Sequence, residues 1–275
     1  MLFFWGDNII NGIIMKKLLY AIVLLLGMGI MVSCGDGLDK IKHKEPSNTE
    51  KQSSSIDTSS SNEPNASTKL FNESELVGAE DTVKHNGYWF ASYPIPDTVK
   101  ARMQGKSMKE NANIGYDQLR YLTLPYYDFD GHVQKGELVC NKAIAHDLLY
   151  IFRDLFSEQY PICSIRLVDD FDADDETSMQ ANNTSCFNYR NVPGTSSLSR
   201  HALGLAIDIN PLQNPYVKGS RIYPSTATEY VDRTKDFPHK IDDDDFCKKV
   251  FISYGFTWGG NWNYSKDYQH FEKKR

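Results

Sequence analysis

The 275-residue sequence lacks the marks of several common protein classes. It has no basic stripe, and a net charge of -6 with a pI near 5.7 removes the electrostatic footing for a nucleic-acid partner. None of its 5 cysteines shares a CxxC spacing with another, which excludes the usual cysteine-zinc and dithiol redox motifs. No internal repeat is visible, so a solenoid or propeller is not expected. The longest apolar run, Leu18 to Val32, falls short of the ~20 residues that span a bilayer comfortably. From Gly35 to Asn72 large apolar residues are almost absent, as in "KQSSSIDTSSSNEPNAST". Such a segment cannot bury enough surface to offset its ordering entropy, and a disordered tether over 35–72 is expected.

The short apolar run follows two lysines and ends in small and polar residues, the order of an export signal. Its ending, "MVSC", resembles a bacterial lipobox, which implies cleavage before Cys34 and lipidation of that cysteine. An uncleaved anchor helix is the alternative. Residues 1–14 precede a better start at Met15 and are expected to be a mis-called start, so 1–34 is set aside from the folded part. The expected location is therefore the bacterial cell envelope, with the chain tethered to a membrane through its N-terminal lipid. Export would expose Cys140, Cys163, Cys186 and Cys247 to oxidising conditions. They can pair in three ways or remain buried thiols, and the second is expected.

The remaining 73–275 is the size of one domain, expected to be a monomer. "GYWFASYPIPDTVKARMQGKSM" has no clean period and reads as an N-terminal arm. "LRYLTLPYYDFDGHVQKGELVCN" reads as two strands about a turn at "DFDG". Ile144, Leu148, Ile151, Phe152 and Leu155 then recur at helical spacing, with Asn141 as N-cap. "CSIRLV" reads as a strand, and the acidic segment to Asn191 as a long loop. A helix is expected from Asp245 to Tyr254, with Phe246, Val250 and Tyr254 on its inner face and Gly255 ending it. Strands recur at Trp258 and in "YQHFE". Hairpins and separate helices together indicate an α+β fold.

The chemistry-bearing stretch is "SRHALGLAIDIN", Ser199 to Asn210. Strand alternation puts Ala206 and Asp208 on one face and Leu205, Ile207 and Ile209 on the other. A carboxylate on so apolar a strand needs a partner, because an unpaired buried charge is costly. A metal shared with His201 is one partner; a structural His–Asp hydrogen bond is another. "KDYQHFE" adds His270, with Asp267 three residues earlier. Two histidines and an aspartate are the three-ligand shell of a catalytic zinc, and a further carboxylate can serve as general base.

"SRHALGLAID" followed by "DYQH" resembles the zinc D-alanyl-D-alanine carboxypeptidase family of the VanY type, which shares its fold with the Hedgehog signalling domain. "SMQANNTSCFNYR", "INPLQNPYV" and "FTWGGNW" extend the likeness over most of Leu119 to Glu272. The resemblance implies a central antiparallel sheet with flanking helices around a zinc site. It implies zinc ligands His201, Asp208 and His270, and Asp267 as the base that activates water. Glu272, the rival base, better fits support of a ligand. Arg190 resembles the family arginine that polarises the scissile carbonyl or binds the substrate carboxylate; a stem-packed role is the alternative. Ser178, Asn183 and Ser199 are candidate cleft residues or turn and cap chemistry. "WGGNW" can form a cleft wall or a bend with core aromatics. "DDFDADDE" lacks the glycine and distal glutamate of an EF-hand and reads as a solvated loop. His43, His85, His132, His146 and His239 match no ligand spacing. The implied function is a zinc metallopeptidase acting on peptidoglycan stem peptides, as carboxypeptidase or endopeptidase. A catalytically inactive cell-wall-binding lipoprotein on the same zinc fold is the alternative.

Overall fold

The structure is a computed structural model and describes residues 73–274. The export signal, Cys34, His43 and the tether lie outside the described residues. Strands β1 (Asp81–His85) and β2 (Tyr88–Tyr93) form a hairpin, followed by helix α1 (Asp97–Met103). Strands β3 (Leu119–Tyr127) and β4 (Val133–Asn141) complete a four-stranded antiparallel sheet in the order β1-β2-β3-β4. The expected arm is thus part of the sheet. Its alternation is hidden because β2 is an inner strand in which Phe90, Ala91 and Ser92 are all buried.

Helix α2 (Lys142–Ser157) follows β4 directly, and the Asn141 side chain caps it by accepting from the Ala143 N–H at 3.1 Å. Ile144, Leu148, Ile151, Phe152 and Leu155 are all buried, as the spacing predicts, joined by Ala145, Leu149 and Phe156. Each such leucine, isoleucine or phenylalanine contributes ~1.5–3 kcal/mol through burial, so this helix and the sheet beneath it anchor the fold. The segment expected as strand and then long loop is more ordered than its composition suggests. Strand β5 is only Ser164–Ile165 and pairs in parallel with β6 (Asn183–Thr184). Between them stands helix α3 (Asp175–Gln180), capped by Asp174 accepting from the Thr177 N–H at 2.8 Å. The acidic run is therefore a solvated loop only in part: Asp170, Asp172 and Asp174 are exposed, whereas Asp169 is buried against the Ser107 N–H and Asp174 holds the helix start.

Next come β7 (Ala206–Asp208), β8 (Tyr216–Lys218), β9 (Arg221–Tyr223), helix α4 (Phe246–Ser253), β10 (Thr257–Trp258), β11 (Lys266–Asp267) and β12 (His270–Glu272). They form two three-stranded sheets, β10-β12-β7 and β11-β8-β9. The α+β expectation holds in its coarse form, antiparallel sheets with few helices. The strands are divided among four sheets, however, and the candidate ligands sit on a small one. Asp245 caps α4 and Gly255, at φ 81°, follows its end. Its buried residues are Cys247, Val250 and Phe251, whereas Phe246, expected inside, is exposed. Cys140, Cys163, Cys186 and Cys247 are all free thiols, and all but Cys163 are buried. No described helix is long and apolar enough to cross a membrane.

Candidate metal centre and cleft

The short sheet brings the sequence motifs together by register. β12 pairs antiparallel with β7 so that His270 lies directly opposite Asp208, Phe271 opposite Ile207 and Glu272 opposite Ala206. Leu205, Ile207 and Ile209 enter the main core, and Asp208 faces away from it toward the cleft, as the alternation requires. His201 arrives on the 3-10 turn His201–Leu203, which Gly204 closes at φ 63°. A Cβ on Gly204 would stand 2.6 Å from the Asn141 backbone nitrogen, so this turn can lie against the start of α2 only as glycine.

His201 Nε2 lies 3.2 Å from Asp208 Oδ2, His270 Nδ1 lies 3.0 Å from Asp208 Oδ1, and the two imidazole nitrogens are 3.1 Å apart. All three residues are buried. Each ring is held from behind. His201 Nδ1 is 2.7 Å from the Cys186 carbonyl oxygen, which can only accept, so its proton sits there and Nε2 faces the site. His270 Nε2 faces Glu272 Oε2 at 3.4 Å, leaving Nδ1 for the site. Glu272 thus supports a candidate ligand.

The donor set fits a metal ion. Bonds of ~2.0–2.1 Å in a tetrahedral shell set ligand atoms ~3.3 Å apart, close to the 3.0–3.2 Å separations here. Two ring nitrogens and a carboxylate converge on one point, an arrangement suited to a shared cation. Against burial, hydrogen bonds to Asp208 and Glu272 raise His270 to about 10. Likewise against burial, the charge and hydrogen bonds of His201 and His270 hold Asp208 far below the usual carboxylate range.

The triad lies in a cleft of about 370 Å³ whose lining includes Arg190, Ser199, Tyr216, Trp262 and Asp267. Asp267, on β11 opposite Tyr216, has a buried Oδ1 with no hydrogen-bond partner. Burial pushes its pKa up to about 7, with Asp208 adding to the rise and His270 and Arg190 opposing it. Arg190 is ion-paired, its Nη2 2.7 Å from Asp175 Oδ2 on α3, and its buried Nε has no partner. Ser199 lines the cleft, with its hydroxyl accepting from the His201 N–H at 3.2 Å. Ser178 and Asn183 do not line it. They are buried, joined by a 3.1 Å bond from Asn183 Nδ2 to Ser178 Oγ, and Asn183 also secures the Arg166 backbone. That places them in the wall's interior.

"WGGNW" is both wall and bend. Trp258 is buried in the core with its Nε1–H donating to the Tyr268 carbonyl at 2.8 Å, while Trp262 lines the cleft 5.3 Å from the His270 ring. A Cβ on Gly259 would stand 2.6 Å from the Asp267 carbonyl oxygen, 2.8 Å from its Cβ and 3.3 Å from that of His270. The bend thus lets the Asp267–His270 segment pack. Sequence reasoning missed the Cys186 carbonyl, which no side-chain pattern reveals. It also missed Asp175, whose signal was its place in the first turn of a helix after a good N-cap.

Residues 193–273 match a family model described as D-alanyl-D-alanine carboxypeptidase. That span includes Ser199, the triad, Asp267 and Glu272, and stops short of Ser178, Asn183 and Arg190. Searches of curated proteins and of solved structures found no match.

Proposed function

We propose that this chain is a zinc-dependent peptidase that hydrolyses bonds in the stem peptides of peptidoglycan, a reading supported by the match of residues 193–273 to a family model described as D-alanyl-D-alanine carboxypeptidase. The observation that carries the reading is the buried convergence of His201, Asp208 and His270 beside a second carboxylate, Asp267, in one cleft. His201, Asp208 and His270 would hold the zinc. Zinc, when bound, supplies Lewis acidity that polarises the scissile carbonyl and makes the attacking water more acidic.

The chain's own groups do the rest. The Cys186 carbonyl and Glu272 keep both rings turned with their site-facing nitrogens forward. Asp267 takes the proton of the attacking water and passes it to the leaving amine, a role suited to a carboxylate whose buried Oδ1 has no hydrogen-bond partner. Arg190, aimed by Asp175, stands beside the developing charge on the carbonyl oxygen. Trp262 and the loop residues Val192, Pro193 and Leu198 limit water in the cleft. The envelope location and the lipid anchor at Cys34 belong to the same proposal, since both would place the cleft beside its polymer.

The test is digestion of purified muropeptides by the zinc-loaded protein, with products read by mass spectrometry. Released D-alanine or shortened stems are expected. Asp267→Ala should lower the rate by ~10²–10⁴-fold, and His201→Ala should abolish it. Full activity in either variant, or no product from the wild type, would refute the assignment.

A further inference from the structure

The cleft contains three arginines in different electrostatic states. Arg190 is neutralised by Asp175. Arg200 donates Nη2 to the backbone carbonyl of Lys273. Among the described residues, the Arg221 side chain makes no ion pair and no hydrogen bond, although six acidic residues line the same cleft: Asp174, Asp175, Glu176, Asp208, Asp267 and Glu272. Its position adds to the imbalance. β8 and β9 pair with Lys218 directly opposite Arg221, so two cations share one end and one face of a hairpin. Like charges in that relation are destabilising unless an anion lies between or above them.

The surroundings suit a peptide. Tyr216 and Tyr223, opposed on the same hairpin with ring centroids 6.0 Å apart, line the cleft beside Arg221. Facing it is the loop 191–198, whose ends are bridged between Asn191 and Leu198. A Cβ on Gly194 of that loop would lie 3.9 Å from Arg221 Nη1, so the guanidinium reaches from the hairpin to the loop. A guanidinium presents a planar fork of donors that matches a carboxylate. Arg190, the family-like candidate for a substrate carboxylate, already has an anionic partner, whereas Arg221 has none.

We propose that Arg221 is a specificity-determining residue of the cleft, holding a free carboxylate of the bound peptide between the β8–β9 hairpin and the 191–198 loop. The inference rests on the peptidase reading for the identity of its ligand as a peptide. That carboxylate has two sources in a stem peptide, the C-terminus or the free α-carboxylate of a γ-linked glutamate.

The experiment is calorimetric titration of the zinc-loaded full chain, carrying Asp267→Asn so that ligand is not consumed. The probes are a D-alanyl-D-alanine-terminated stem pentapeptide, its C-terminal amide, and its glutamate α-amide. One of the two amidations should weaken binding about 10-fold, which names the source. With Arg221→Ala added, all three ligands should bind alike at the weaker level, and Arg221→Lys should restore part of the discrimination. The exposed side chain bonds nothing, so its removal leaves the fold intact. Discrimination that survives Arg221→Ala, indifference to both amidations, or no binding of the unmodified pentapeptide would each overturn the proposal. Turnover of the pentapeptide with Asp267 restored, measured in parallel, reads the peptidase assignment separately. No product alongside intact, Arg221-dependent discrimination would sink that assignment and leave the role of Arg221 standing.

Discussion

His201, Asp208 and His270 converge at one place in the molecule, and Asp128, Asp130 and His132 at another; within each group the ligand atoms lie within 4.8 Å of one another. The side chains of the first group are 5–8% exposed, whereas that of His132 is 74% exposed. Their carboxylates differ more. Asp128 Oδ1 already accepts from the N–H groups of Asp130 and His132, at 3.0 and 2.8 Å, and Oδ2 accepts from Gln134 at 2.7 Å. Those bonds build the β3–β4 turn. Among the described residues no backbone N–H donates to the Asp208 carboxylate, and both its oxygens face imidazoles. Nearness of acids and a histidine is thus a common by-product of a tight turn. Burial, rings held from behind and a carboxylate with no local donor are what separate a metal centre from it.

The largest expected effect tests that contrast. At zinc 1,000-fold above its dissociation constant, the wild type should gain ~4 kcal/mol of stability, seen as a rise in thermal midpoint. Asp208→Asn should lose nearly all of that gain and Asp128→Asn none. A zinc shift that followed Asp128 would break the comparison.

A second carboxylate, partly buried, sharpens it further. Asp208 is held low by imidazoles, but burial raises Asp245, which caps α4 beside the Tyr160 hydroxyl, to about 6 against the opposing bonds from the Lys248 N–H and Tyr160. A folded pKa above the unfolded value means that the folded state binds the proton more tightly. This stabilisation is present below pH ~4 and is lost as pH rises through about 6. Asp245→Asn keeps a good cap and removes the titration. Denaturant midpoints should show the variant up to ~3 kcal/mol more stable at pH 7, with the slope between pH 4 and 6 flattened. An unchanged slope would show that this carboxylate is not held neutral by its surroundings.

Gly259→Ala comes next. The added methyl must displace Asp267 and His270 together, so zinc affinity and turnover should fall jointly, with kcat/KM down about 100-fold. Loss of stability with normal turnover in the remaining folded protein would detach this bend from the site.

Much of this was legible in the sequence where one physical rule dominated locally. The α2 stripe from Ile144 to Leu155 is a helix because its inward face is apolar and little else competes. The run from Leu205 to Ile209 gave the direction of Asp208 by alternation alone. Reading failed where tertiary context decided. On α4 the small Cys247 and Phe251 turn inward in place of Phe246, because the ring of Phe251 stacks on Phe271 of the site's own sheet, 4.4 Å between centroids. Helix α3, at six residues, is too short to show a period. Arg190 was legible as a cleft residue, but its pairing with Asp175 was not, since a helix start has to fold back beside it.

The smallest effect concerns the link between these regions. Asn141 ends the large sheet and caps α2, yet its Nδ2 donates to the Leu203 carbonyl and its backbone N–H to that of Gly204, both at 2.8 Å. One residue therefore holds the scaffold's helix start and the turn that carries His201. Asn141→Ala removes both side-chain bonds and should cost ~1–2 kcal/mol of stability. Asn141→Asp keeps the cap acceptor but loses the donor to Leu203. It should preserve α2 while weakening zinc binding by less than the ~10-fold that follows loss of a direct hydrogen bond to a ligand. If Asn141→Asp binds zinc as tightly as the wild type, Gly204 packing alone sets the His201 turn, and the scaffold positions the site through backbone contact rather than through this amide.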